Sequence, residues 1–264
     1  MSQINLIQTF CKGFSFFFPE TKKNLVLKDF SKLLTQEEDL SKHFFIYFDN
    51  RLGRGFRVFL QTESPLDVLQ NRFSAFLKNY SSNQQNANIP HQFFKTYPTF
   101  SVVPIRFIEE NDEIITTKKQ IHSIQLFLEN LSSLIVQKTE EFDFSDDNQK
   151  LEFTLELLIA GVAFNQFPMP CIQQEFKRLL KLNPTYKKYL VDKYSSAIRD
   201  SKEAIFVFKK TLILAENEYN FLSEFWKKNQ VDDAQKIFEL IFKVLNINMQ
   251  QKCYCLFVLQ NTAE

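Results

Sequence analysis

Glycine is scarce in this chain of 264 residues, which holds four, and the consequence is chemical. A phosphate cradle of the G-x-G-x-x-G or P-loop kind needs glycines that let backbone N–H groups approach a ligand, and neither motif occurs. No cofactor is therefore expected. Cysteine is equally sparse, with Cys11, Cys171, Cys253 and Cys255 scattered in a pattern that suits reduced packing residues better than a disulfide framework. The C-x-C pair at Cys253 has no histidine near it in sequence, because His43, His91 and His122 all lie in the first half, and no metal site is expected. No apolar run approaches the roughly 20 residues that span a bilayer. The N-terminal stretch also lacks the early positive charges and small-residue cleavage site of a signal peptide, so a cytoplasmic location is expected. A formal charge of +1, with lysines mixed among acids, supplies no field for general nucleic-acid binding.

What the chain has in quantity is phenylalanine, 31 residues of it, and hydrophobic residues make up 44% of the sequence. That is enough for one large core or two modest ones. The most informative stretch is His43 to Gln61, HFFIYFDNRLGRGFRVFLQ, which reads as two strands and a turn. Phe44, Ile46 and Phe48 alternate with Phe45, Tyr47 and Asp49, and Phe56, Val58 and Leu60 alternate with Arg57, Phe59 and Gln61, so a hairpin with one oily face is expected. Arg51, Arg54 and Arg57 fall within seven residues of a chain whose other cations are nearly all lysine, and Gly53 and Gly55 lie between them. Guanidinium forks bind carboxylate or phosphate bidentately, so an anionic, oxygen-rich partner is the functional reading of the cluster, and solvated surface arginines are the plain one.

Around the hairpin, residues 4 to 18 read as a strand with an irregular middle that ends at Pro19. Leu25, Val26, Phe30, Leu33 and Leu34 recur at helical spacing. Ser64 and Pro65 look like an N-cap and first helical position, ahead of Leu66, Leu69, Phe73, Phe76 and Leu77 on one face. The polar stretch from Tyr80 to Gln92 reads as a mobile loop. The segment from Tyr97 to Ile108 is strand-like, but Pro98 and Pro104 keep it at an edge. Ile121, Ile124, Leu128, Leu131 and Ile135 mark a long helix ending near Lys138.

The order β-α-β-β-α-β-α predicts an α+β fold: a mainly antiparallel sheet with helices on one face, in a split βαβ arrangement, followed by a helical C-terminal half. An α+β region over 1–138 and a helical region over 151–264 follow, either as two domains or as one continuous body, with the acidic stretch from Thr139 to Lys150 between them. Exposed strand edges make a homodimer or the addition of a peptide strand reasonable.

The hairpin and the helix after it resemble the C-terminal domain of lantibiotic dehydratases and the related stand-alone thiopeptide-type bacteriocin biosynthesis proteins. In that family a W-F-F-I-R-Y run leads into D-P and then H-L-R-L-R, and Thr96-Tyr97-Pro98 is similar to its T-Y-E-P segment. The resemblance implies maturation of a ribosomally made peptide, with a precursor peptide as partner and a separate glutamylating dehydratase subunit as a further one. It implies either a lyase that eliminates glutamate from a glutamylated residue, or a ring-forming enzyme acting on a dehydrated one. Arg57 matches the first arginine of H-L-R-L-R, and is expected beside Tyr47 in position to grip a glutamyl carboxylate. Arg106 stands in for the arginine after T-Y-E-P, while Arg51, Arg54 and Tyr97 are expected to bind substrate. Phe59 occupies the place of the motif's second arginine, and the family's C-terminal histidine has no counterpart after His122. Either Tyr47, His122 or Tyr97 supplies proton transfer, or a non-catalytic surface that binds peptide or a partner protein remains.

Overall fold

The computed structural model describes residues 3–7, 11–40, 42–50, 53–81, 97, 99–105, 113–163, 169–186, 188, 190, 219–222 and 234–262. The expected mobile loop from Tyr80 to Gln92 lies outside these residues apart from Tyr80 and Ser81. The chain divides into two compact units, one of residues 1–146 with 243–246 and the other of 147–242 with 247–264.

The first unit carries strands β1 (Gln3–Asn5) and β2 (Lys12–Phe17), helix α1 (Lys23–Thr35), strands β3 (His43–Asn50) and β4 (Gly53–Leu60), and helix α2 (Leu66–Lys78). Strands β5 (Ser101–Pro104) and β6 (Ile115–Thr117) and helix α3 (Ile121–Lys138) complete it. The main sheet is four-stranded and antiparallel in the order β3-β4-β2-β5. Here β2-α1-β3 leaves a gap that β4 fills, and β4-α2-β5 leaves one that β2 fills, so two split βαβ units interlock as the element order predicts. The small antiparallel pair β1-β6 was not foreseen, because three residues of β6 carry no readable alternation.

The hairpin register corrects two expectations. Opposite Ile46 stands Arg57, and opposite Tyr47 stands Phe56. Since side chains alternate with a period of two, Arg57 shares a face with Phe44, Ile46, Phe48, Ser15 and Phe17, while Tyr47 shares the other with Phe14, Phe16, Phe45 and Phe56. Arg57 is therefore not beside Tyr47. Nor is there a single oily face, because Phe44, Phe45, Ile46, Tyr47, Phe48, Phe56, Val58 and Phe59 are all buried.

The face bearing Phe16 and Phe56 packs on the helices through phenylalanine. Phe16 lies 4.5 Å from Phe30 of α1 and 4.9 Å from Phe56, and Phe14 meets Phe73 of α2 edge to face at 5.1 Å. Such offset and edge contacts add to the burial itself. Pro65, one residue later than expected, is the N-cap of α2, and no side chain caps that end. Pro104 ends β5 at the sheet edge, where its missing N–H breaks no ladder bond, as its sequence position suggested. At the opposite edge the backbone N–H of Phe45 donates to Ser132 Oγ of α3 at 2.9 Å, which blunts that edge against strand addition.

The second unit is helical over its described residues: α4 (Asp147–Ala163), α5 (Met169–Leu182), α6 (Ala234–Val244) and α7 (Met249–Thr262). Helix α7 packs on α4 and α5, with Phe257 6.0 Å from Phe176. In α6, Ile237, Phe238, Ile241 and Phe242 form a buried stripe at helical spacing. In α4 the buried apolar positions include Phe153, Leu157, Leu158, Ile159 and Ala160. No described helix is long and apolar enough to cross a membrane.

Candidate functional site

The candidate site is built on the sheet face that carries Arg57. Residues 15, 17, 46, 48 and 57 come from three adjacent strands, and the pleat points them the same way. Arg57 is 5% exposed, so its charge sits in a dehydrated setting and needs local support. Its Nε donates to Ser15 Oγ at 3.2 Å, and its guanidinium lies 4.6 Å from the centroid of the Phe48 ring. A cation over an aromatic face in a buried position gains more than it would in water.

From Phe48 the aromatic surface continues outward. Phe17 meets Phe48 edge to face at 5.3 Å, and Tyr97 stacks on Phe17 at 4.7 Å. Tyr97 is 42% exposed, so this row runs from solvent to the buried guanidinium. Two glycines leave room for it. Gly53, at φ +144°, would place a Cβ 2.7 Å from Phe17, and Gly55 would place one 1.8 Å from the carbonyl oxygen of Phe16. Phe100, close in sequence to Tyr97, has φ 61°, a left-handed conformation that costs a bulky residue energy and recurs where a segment is held for function. Its N–H donates to Phe17 O at 2.6 Å, which ties the Tyr97 segment to the same strand.

The other predicted residues fall elsewhere or outside view. Arg54 is three residues from Arg57, hence on the opposite face, and pairs with Asp49 across the hairpin at 3.0 Å with both side chains at least half exposed. A pair so solvated contributes at most about 1 kcal/mol. Arg54 and Arg57 therefore do not converge on one site, and Arg51 and Arg106 lie outside the described residues. His122 opens α3 and lines a cavity beside Lys42 and Gln61 at the base of the hairpin. Gln61 is four residues beyond Arg57, about 13 Å along a strand.

Tyr47 is enclosed on the helix-covered face. Its ring stacks on Phe144 at 5.9 Å and lies under the ammonium of Lys23, 4.3 Å away, which donates to Phe144 O. Burial first, and the charge of Asp143 second, push its phenol well above the ordinary tyrosine range. It stays protonated at neutral pH and cannot act as a base there. Its hydroxyl also has no hydrogen-bond partner among the described residues. Removing an unsatisfied hydroxyl relieves a desolvation cost, so Tyr47→Phe is expected to raise stability by up to about 1 kcal/mol in urea denaturation. A loss of more than that would contradict the absence of a partner.

Aromatic stacking onto Phe17 is what sequence reading missed at this site. Reading residues 4 to 18 as a strand gave Phe17 no partner, whereas it joins Tyr97 to Phe48. Among the described residues no group of three or more metal-ligating side chains comes together.

No family model matches the sequence, and no curated protein matches it at a significant level. Among solved structures the chain is similar to the pyridine synthase TbtD from thiomuracin biosynthesis, with a TM-score of 0.60 over 96% of this chain and 97% of that one. Sequence identity between the two is 10%, so the likeness is one of fold.

Proposed function

We propose that this chain acts in the maturation of a ribosomally synthesised peptide, on a modified precursor peptide whose acidic group is received by Arg57. The observation that carries the reading is the buried guanidinium at the inner end of an aromatic row that starts at solvent. A desolvated arginine held by Ser15 and Phe48 offers a preorganised positive charge, worth more to an anion than an exposed one. The aromatic row suits a peptide segment lying against it. The fold shared with TbtD, a pyridine synthase by name, supports the same class of pathway.

Two reactions fit. In glutamate elimination a base removes the acidic α-proton while cations stabilise the enolate and the departing carboxylate. In ring formation on dehydrated residues the cation steadies negative charge developing on a carbonyl oxygen, and the neighbour's name favours this second reading. Of the residues considered for proton transfer, Tyr97 is the one joined to the Arg57 face by stacking.

The test is to incubate the protein with a glutamylated and with a dehydrated precursor peptide and to follow both by chromatography and mass spectrometry. Release of free glutamate from the first identifies elimination, and a ring that resists fragmentation in the second identifies cyclisation. In either case Tyr97→Phe is expected to slow the reaction about 100-fold with peptide affinity kept, if the hydroxyl moves the proton. Tight retention of both peptides without conversion supports the alternative, a non-catalytic binding subunit. Failure to bind or convert either peptide contradicts the proposal.

A further inference from the structure

The cavity at the base of the hairpin has no part in the chemistry assigned to Arg57. It measures about 260 Å³, and its polar lining is Lys42, Gln61, His122, Gln125 and Glu129, of which Lys42, Gln61 and His122 are exposed, with Ile121 and Leu126 as its apolar lining. The elements around it are fastened together. Gln61 N–H donates to Lys42 O at 3.1 Å, closing the hairpin just beyond β3 and β4. Gln125 Nε2 of α3 donates both to Gln61 Oε1 and to Glu129 Oε1, each at 2.9 Å.

One amide thus ties the Glu129 carboxylate to the end of β4 and fixes where the negative charge stands. The Lys42 ammonium and the His122 ring have no hydrogen-bond partner among the described residues. The lining therefore presents an anchored anion, an uncommitted cation and an imidazole around one small space. A lone phosphate or dicarboxylate would meet Glu129, and a simple amine would meet Lys42, so the charges select against both. A ligand carrying an ammonium and a carboxylate a few bonds apart satisfies every wall at once. The volume lies below the roughly 300–1,000 Å³ of pockets for drug-sized molecules, which suits a compact ligand.

We infer that this cavity is a binding site for a free α-amino acid, in which Glu129 accepts from its ammonium while Lys42 and His122 donate to its carboxylate. Ile121 and Leu126 contact its side chain. The inference stands on this cavity alone and holds whether or not Arg57 binds a peptide.

The experiment uses the full chain labelled at histidine, with the His122 ring followed by NMR during titration with L-alanine. A saturable shift of the His122 resonance is expected. N-acetyl-L-alanine, which lacks the ammonium, and L-alaninamide, which lacks the carboxylate, are each expected to bind at least about tenfold more weakly, as loss of a charge-assisted hydrogen bond dictates. Glu129→Gln should weaken L-alanine to the level of the N-acetyl compound, with the circular dichroism spectrum unchanged. No shift at His122, or equal binding of L-alanine and both blocked analogues, overturns the inference. Equal binding of L-alanine and L-alaninamide would point to a peptide amino-terminus instead and also overturns it.

Discussion

Arg57→Met is expected to reduce conversion of the modified precursor peptide by at least about 100-fold, the scale on which loss of one preorganised cation acts at a developing negative charge. Methionine keeps an apolar stem of similar length and removes only the guanidinium, so the sheet should remain, with a stability change within about 2 kcal/mol. Arg57→Lys should recover little, because an ammonium cannot reproduce both the bond from Nε to Ser15 Oγ and the guanidinium's place over the Phe48 ring. Arg54→Gln serves as the comparison. Arg54 lies on the opposite face in an exposed pair with Asp49, and its loss is expected to change turnover less than about threefold. Peptide mass spectrometry gives the rates, and urea denaturation shows whether each variant is folded. Equal rates for wild type and Arg57→Met would remove the role given to the arginine.

The largest effect on stability is expected from a single methyl group. In Gly55→Ala the added Cβ would stand 1.8 Å from the carbonyl oxygen of Phe16, a main-chain atom in the paired strand, and cannot be accommodated without parting β2 from β4. A cost above about 3 kcal/mol, or failure to fold, is expected. Gly13→Ala tests whether the reason is correct. There the added atom would meet the ends of Ile105 and Phe59 at 2.9 and 3.0 Å, and side chains can yield where backbone cannot, so about 1–2 kcal/mol is expected. Denaturation curves that show similar costs for the two would refute the close-approach argument.

Much of the fold was legible because its signals are local. The hairpin, the helix after Pro65 and the edge placement of the segment with Pro104 follow from alternation, helical spacing and proline's missing donor. The face assignment was harder. Alternation tells two faces apart only when one is polar, and here Phe44, Ile46 and Phe48 on one side are matched by Phe45 and Tyr47 on the other. Register depends on which residues oppose across the hairpin, and the sequence between Asn50 and Gly53 carries no signature as strong as Asn-Gly.

The arginine spacing did carry information that a count of charges hides. A separation of three on a strand puts Arg54 and Arg57 on opposite faces, so two arginines close in sequence do not share a site. The row Tyr97, Phe17, Phe48 was not readable, because it joins residues 80 positions apart through a strand pairing that no local pattern announces.

The most direct measurement of the central claim watches the arginine itself. With the protein labelled at arginine and the Arg57 Nε–H resonance assigned from Arg57→Lys, a glutamylated precursor peptide is titrated against one carrying glutamine in the glutamate's place. Arg57 is expected to shift strongly and saturably with the acid and by less than about a tenth as much with the neutral isostere, since a charge-assisted bond is lost. Binding of both peptides with the Arg57 resonance unmoved would contradict the claim that this guanidinium receives the acidic group.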